Sequence, residues 1–261
     1  MTSMVKSTSN GMTDIRPPVY PLPVSTAFRL LLAGILVQKR SFHLDSLKMV
    51  EPVRIKILGC QWIPSHGNLL LTINHYHRQG FGIWWAIAAL SAQIEPEICW
   101  IMTSNWTYPG QRRDRVIRPF SRFLFARIAQ TYSFITMPPM PPAPDQVKER
   151  SIAVRNVLKY VQQTRNPIVG LSPEGMDIPT GYLGFPPPGS GRFINHLIKQ
   201  NLEIVPIGIY EENSRLCLNF GPHYQPVVDE NISSSELDHE ISQIVMTHIA
   251  DLLPTHLRGS F

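Results

Sequence analysis

The chain reads as an α/β protein: a mixed, largely parallel sheet flanked by helices, with an N-terminal helical element that faces a membrane. Three observations predict this. From residue 49 onward, short apolar runs of strand length alternate with stretches of helical periodicity, the order that builds parallel crossover units. The 261 residues are 43% hydrophobic, enough for a sizeable core, so neither a disordered tail nor a disulfide-stapled miniprotein fits. The 24 prolines, about 9% of the chain against an average of about 5%, favour rigid connections over coiled coils and solenoids.

Residues 1–48 are read as a flexible leader and an N-terminal apolar helix, and 49–261 as the α/β domain. The first fourteen residues are rich in Ser, Thr and Met, and Pro17, Pro18, Pro21 and Pro23 stiffen the approach to the apolar segment. Ser25 or Thr26 can cap a helix whose segment 30–37 is apolar on all sides, a surface that is buried in protein or in lipid. Arg29 and Lys39-Arg40 flank it as cationic ends flank a segment dipped into an anionic interface. A packing helix and a monotopic anchor both fit. Further on, 53–58 and 69–73 are predicted strands, 81–90 a buried helix, 98–103 a strand and 118–130 an arginine-rich helix. Asp145 is placed to cap a helix reaching Gln163, in which Val147, Val154, Leu158 and Val161 share a face and which Pro167 ends. Segments 168–171, 204–209 and 216–220 read as strands. The last helix opens on a capping box, Ser233 with Glu236, and carries Leu237, Ile241, Ile244, Val245, His248 and Leu252 on one stripe.

Cys60, Cys99 and Cys217 are odd in number and widely spaced in apolar surroundings, which argues against a disulfide framework or a structural zinc site and suits a reducing cytosol. The net charge of +5 and pI near 9.2 favour an anionic partner: nucleic acid, an anionic membrane surface or a phosphorylated small molecule. The uncharged stretch 79–94 falls short of the roughly 18 to 20 residues a spanning helix needs. A polar leader, with no small-residue cleavage site after the apolar run, is unlike a secretory signal.

Three segments can carry chemistry. In the first, a buried strand runs into the polar turn Asn74-His75-Tyr76-His77-Arg78-Gln79-Gly80 and then a helix, and ligand sites lie at the carboxyl ends of such strands. Imidazole can take a proton at neutral pH, which makes His75 a candidate general base. A histidine here can equally satisfy local backbone groups, and His75 with His77 can form two of a metal's ligands, although no third or fourth is evident. In the second, the strand 168–171 ends at Ser172-Pro173-Glu174-Gly175, where a rigid proline and a permissive glycine suit a fixed turn that exposes the acid, or a plain turn. The third, Gly184 to Phe193, is a proline-stiffened loop entering a helix. Its backbone amides and Arg192 can hold an anion, although Gly189-x-Gly191 is less than a dinucleotide fingerprint.

In their order these segments resemble the glycerolipid acyltransferase family, which includes the lysophosphatidate (1-acyl-glycerol-3-phosphate) acyltransferases. Asn74-His75 matches the start of the N-H-x4-D motif, and Tyr132-Ser133-Phe134-Ile135 resembles the F-I segment. Ser172-Pro173-Glu174-Gly175 resembles F-P-E-G, Phe185 and Gly189 fit the loop after it, and Val205-Pro206-Ile207-Gly208 resembles the V-P-V-G strand. The resemblance covers about residues 50 to 225. It implies an O-acyltransferase in which His75 takes the proton from a hydroxyl of a lysophospholipid or related lipid as that hydroxyl attacks a thioester carbonyl. Acyl-CoA or acyl carrier protein is the implied donor, with no metal and no bound redox cofactor. It also implies substrate-binding roles for Asn74, which helps to fix the turn, for Glu174 and Gly175 on the acceptor, and for Arg192 on phosphate groups.

Three positions depart from the family. Gly80 stands where the motif keeps the acid that orients the histidine. Asp177, Asp114 and His77 are candidates to replace it, and Asp177 is taken as the second catalytic residue because it lies two residues beyond Gly175. Met137 and Asp177 stand where the family has basic residues that hold the acceptor's phosphate, which implies a neutral or differently shaped hydroxyl acceptor. A non-catalytic lipid-binding relative is the alternative, and a metal hydrolase using His75 and His77 comes third.

Residues 112–127 carry six arginines against one acid, Asp114. With Phe120, Phe123, Leu124 and Phe125 interleaved, they form either a solvated face or a surface for lipid headgroups or the phosphates of coenzyme A. No nucleic-acid-binding motif accompanies them. The expected partners are therefore an acyl thioester donor, a lipid hydroxyl acceptor and a membrane surface, with no nucleic acid. The expected location is the cytoplasmic face of a membrane, peripheral or monotopic.

Overall fold

The computed structural model describes residues 17–21, 24, 32, 38–108, 110–140, 144–176, 178, 180–229 and 231–261. The apolar segment 30–37, Leu32 excepted, and Asp177 lie outside them. Among the described residues the strands are β1 (Ile55–Leu58), β2 (Leu69–Ile73), β3 (Cys99–Thr103), β4 (Ile135–Met137), β5 (Ile168–Leu171), β6 (Glu203–Glu212) and β7 (Arg215–Phe220). The helices are α1 (Phe42–Val50), α2 (Trp84–Gln93), α3 (Asp114–Tyr132), α4 (Val147–Gln163), α5 (Ser190–Ile198) and α6 (Ser234–Ala250).

The strands form one mixed sheet in the order β1-β7-β6-β2-β5-β3-β4. Every neighbouring pair is parallel except β6 and β7. Those two are joined through Asn213 and Ser214, whose φ of 50° and 58° give the two-residue turn that matches strand twist. β2 sits in the middle, and all five of its residues are buried. Leu69, Leu71 and Ile73 face a core shared with Met49 and Val50 of α1 and Trp85 and Leu90 of α2. Leu70 faces the opposite core, with Val157 of α4, Leu197 of α5 and Val245 of α6. A strand covered on both faces is largely apolar, as this one is but for the buried Thr72. Because β2, β3, β4, β5 and β6 run the same way, the turns after β2 and β5 and the far end of β6 share one edge of the sheet.

Helix α1 and strand β4 have no counterpart in the sequence reading, and the other differences lie at element ends. α2 begins at Trp84 rather than near residue 81, because turns through Gly80 and Gly82 come first: Phe81 N donates to Arg78 O and Trp85 N to Gly82 O. Asp145 does not cap α4. It lies inside a 3-10 turn, Pro144–Gln146, and Gln146 takes the cap position without a side-chain bond. The capping box of α6 is present in both directions between Ser233 and Glu236. No described helix is long and apolar enough to cross a membrane.

A close approach fixes β5 against β3. A Cβ on Gly170 would sit 2.4 Å from the ring of Trp100, which is 1% exposed and donates its indole N–H to Ser91 Oγ at 2.9 Å. Since that ring has nowhere to move, Gly170→Ala should cost about 1–3 kcal/mol by overpacking. Chemical denaturation checks this, and an unchanged midpoint would show that β3 and β5 are not held at this spacing.

Candidate active site

Beyond Ile73 the chain leaves the sheet, and Asn74 controls how. Its Nδ2 donates to Ile209 O at 2.8 Å and its Oδ1 accepts from Ile209 N at 2.7 Å. The carboxamide thus continues the β2–β6 ladder while the backbone turns away. Both polar atoms of this buried side chain are hydrogen-bonded inside the sheet, which positions the turn.

The next residue is held from the other side. His75 N donates to Glu174 Oε2 at 2.5 Å, and Gly184 N donates to Glu174 Oε1 at 2.9 Å. One carboxylate therefore ties together the turn after β2, the turn after β5 and the loop entering α5. The sequence reading had Glu174 bind the acceptor. In the structure the side chain is 2% exposed and each oxygen accepts a backbone amide. Gly175, at φ 67°, donates its N–H to Ser172 O in a turn that carries the acid inward. Burial raises the pKa of the carboxyl, and the amides of His75 and Gly184 offset part of that rise. His75 itself is half-buried, as are Tyr76, His77 and Arg78 after it.

A second anchor was missed in the sequence. Arg78 donates through Nε and Nη2 to the carboxylate of Glu211 near the end of β6, the Nη2 bond to Oε1 measuring 2.8 Å. Tyr20 OH donates to the same Oε1 at 2.5 Å, and Tyr76 OH approaches Oε2 at 3.4 Å. Arg78 Nη2 also donates to Pro18 O at 3.0 Å, and the Tyr20 ring packs on Phe81 and Trp85. Residues 17–21 are thus strapped over the turn that carries both histidines. Burial and Glu211 push the Tyr76 phenol up to about 12 and that of Tyr20 higher still, so both stay protonated donors. The available signal was a lone arginine between two apolar elements and a glutamate closing an apolar strand, 133 residues apart.

Gly80 is exposed at φ 81°, and a Cβ there would meet only Arg78 Nη1, at 3.6 Å. A carboxylate at this position would face a guanidinium. Asp114 is committed elsewhere: Oδ1 accepts Tyr108 N at 2.6 Å and Oδ2 pairs with Arg118 at 3.0 Å, at the start of α3. The amides at the start of α5 are also taken, because Asp238 of α6 accepts from Gly189 N at 2.7 Å and Arg192 N at 2.8 Å. The anion expected on those amides is the protein's own carboxylate, and Arg192 is left exposed. Gly175 lines a cavity of about 120 Å³ between the ends of β3, β4 and β5 and the start of α5. Among the described residues no three His, Cys, Asp or Glu come together as metal ligands.

No family model and no curated protein sequence matches the chain. Among solved structures it is similar to the crystal structure of PlsC, the 1-acyl-sn-glycerophosphate (LPA) acyltransferase of Thermotoga maritima. The identity is 14% over 88% of this chain and 89% of that one, with a TM-score of 0.48.

The Glu174 geometry sets a pH dependence. A carboxyl whose pKa is raised on folding binds its proton more tightly in the folded state, so its ionisation costs stability above the folded pKa and nothing below the unfolded one. The melting temperature should therefore fall as pH rises from the ordinary carboxylate range through the raised value. Glu174→Gln cannot ionise and should lack this step, and at neutral pH it turns an NH2 against one of the two amides at a cost of about 1–3 kcal/mol. Melting curves of both proteins between about pH 4 and 8 check this. Parallel profiles would show that Glu174 does not set the pH dependence.

Proposed function

We propose that the protein is a membrane-associated O-acyltransferase that moves a fatty acyl group from acyl-CoA or acyl carrier protein to a hydroxyl of a lysophospholipid or related lipid, with His75 as general base. One observation carries the reading. Two short motifs 99 residues apart meet at the carboxyl edge of the sheet, where Glu174 of the second clasps the backbone of His75 in the first. That edge is where α/β folds place their ligands.

The chemistry rests on that position. The His75 ring takes the acceptor hydroxyl's proton as the oxygen attacks the thioester carbonyl, and the tetrahedral intermediate collapses with expulsion of the thiolate, which the imidazolium then protonates. The clasp at His75 N and the carboxamide of Asn74 hold the backbone from which the ring extends. Asp177, two residues beyond Gly175, is the acid assigned to orienting the ring, and exposed Arg192 is assigned to phosphate groups. Membrane association draws support from α3, where Val116, Phe120 and Phe123 are 72%, 63% and 56% exposed at helical spacing, with Arg115, Arg118 and Arg122 among them. Apolar side chains flanked by arginines suit an anionic interface. Gly80 favours the second reading, a lipid-binding relative without turnover.

His75→Ala should lower acyl transfer by about 10²- to 10⁴-fold at unchanged melting temperature, and His77→Ala by much less. Release of free CoA from a panel of acyl-CoAs with lysolipid, glycolipid and alcohol acceptors measures it. Wild-type protein that releases no CoA with any acceptor would point to lipid binding alone. Equal losses in the two variants, with stoichiometric metal, would point to a metal hydrolase.

A further inference from the structure

The cavity beside Gly175 has a cation in its wall. Met102, Met137, Met140, Leu171 and Phe193 make it largely apolar, and Arg150 of α4 completes it. Nη2 of Arg150 donates to Pro138 O at 3.2 Å and Pro139 O at 3.0 Å, which fixes the plane of the guanidinium. Its Nε and Nη1 have no hydrogen-bond partner among the described residues, and no described carboxylate forms an ion pair with it. Arg40 and Arg78, also partly buried, each face a carboxylate, Asp45 and Glu211. Desolvation lowers the pKa of Arg150, and no described acid opposes it. The same cavity is lined by Ser172, whose Oγ is buried with no described partner. A half-buried charge with only carbonyl partners is costly unless an anion completes it.

We propose that this cavity receives the anionic head and first carbons of an amphiphile, with Arg150 as its counter-ion. The volume sets the division. At about 120 Å³ it is a little smaller than the roughly 150 Å³ cavity that accommodates benzene, so it takes a head and a few carbons while a longer chain continues outside. The apolar walls disfavour a fully hydrated free anion. Arg150 thereby supplies from α4 a positive charge beside Met137 at the end of β4. The proposal rests on acyl transfer only for the ligand's role as acceptor; binding itself requires no turnover.

Full-length protein with labelled methionine methyls, titrated with hexyl phosphate, hexanoate, hexanol and inorganic phosphate and followed by NMR, tests it. Hexyl phosphate or hexanoate should bind about tenfold or more tightly than hexanol or inorganic phosphate. The shifts should centre on Met102, Met137 and Met140. Arg150→Met should bring the anionic probes to within about twofold of hexanol, and Arg150→Lys should keep their preference. Because Arg150 also holds two backbone carbonyls, the wild-type shift pattern stands as a measurement independent of the variants. Equal binding of hexanol and hexyl phosphate, shifts confined to other methionines, or an unchanged preference in Arg150→Met would overturn the proposal. Inorganic phosphate binding as tightly as hexyl phosphate would overturn the amphiphile assignment. Absent CoA release with intact probe selectivity would instead fail the acyltransferase reading alone.

Discussion

The carboxylate of Glu174 is the tie on which the candidate site depends. It is buried, and it accepts one backbone amide from each of two segments that the sheet would otherwise leave unconnected, the turn after β2 and the loop entering α5. Taking a carboxylate out of water is costly, and two charge-assisted bonds from fixed amides are what make the burial tolerable. Asn74 makes the matching tie on the other side, to Ile209 of β6. His75 therefore follows the central strand with its backbone fixed from both neighbouring strands, a preorganisation that a general base requires if its ring is to meet a substrate hydroxyl at one distance.

Around that pair the turn is anchored by a cation. Where a motif acid would sit, Gly80 is an open turn, and Arg78 reaches back to Glu211, which also gathers the phenols of Tyr20 and Tyr76. Electrostatically the turn after β2 is thus a closed ion pair roofed by aromatic rings, whereas Arg150 of α4, in the cavity wall, faces no described carboxylate. This separation matches the two proposed roles, proton transfer beside His75 and anion recognition in the cavity.

Strands 69–73 and 168–171 were legible residue for residue, because a strand covered on both faces has an apolar run bounded by turn residues and no other way to read. Other elements were less so. β4 is three residues long, and no periodicity can be read from three. α5 is capped by Asp238, 46 residues from Arg192 and on another helix, so the loop looked like an anion site awaiting a ligand. Glu174 shows the same limit at the site: proline and glycine around an acid announce a turn, but which way the carboxylate points is decided by amides brought from elsewhere in the fold. Arg150 reads in sequence as one more helical arginine, and only the folded chain shows that no described acid faces it.

The clasp is tested most directly by following the backbone amide protons of His75 and Gly184 through a pH titration by NMR. Both take their electrostatic environment from one carboxylate, so the two signals should move together, with a single midpoint above the ordinary carboxylate range. Two independent titrations, or a shared midpoint within that range, would contradict it.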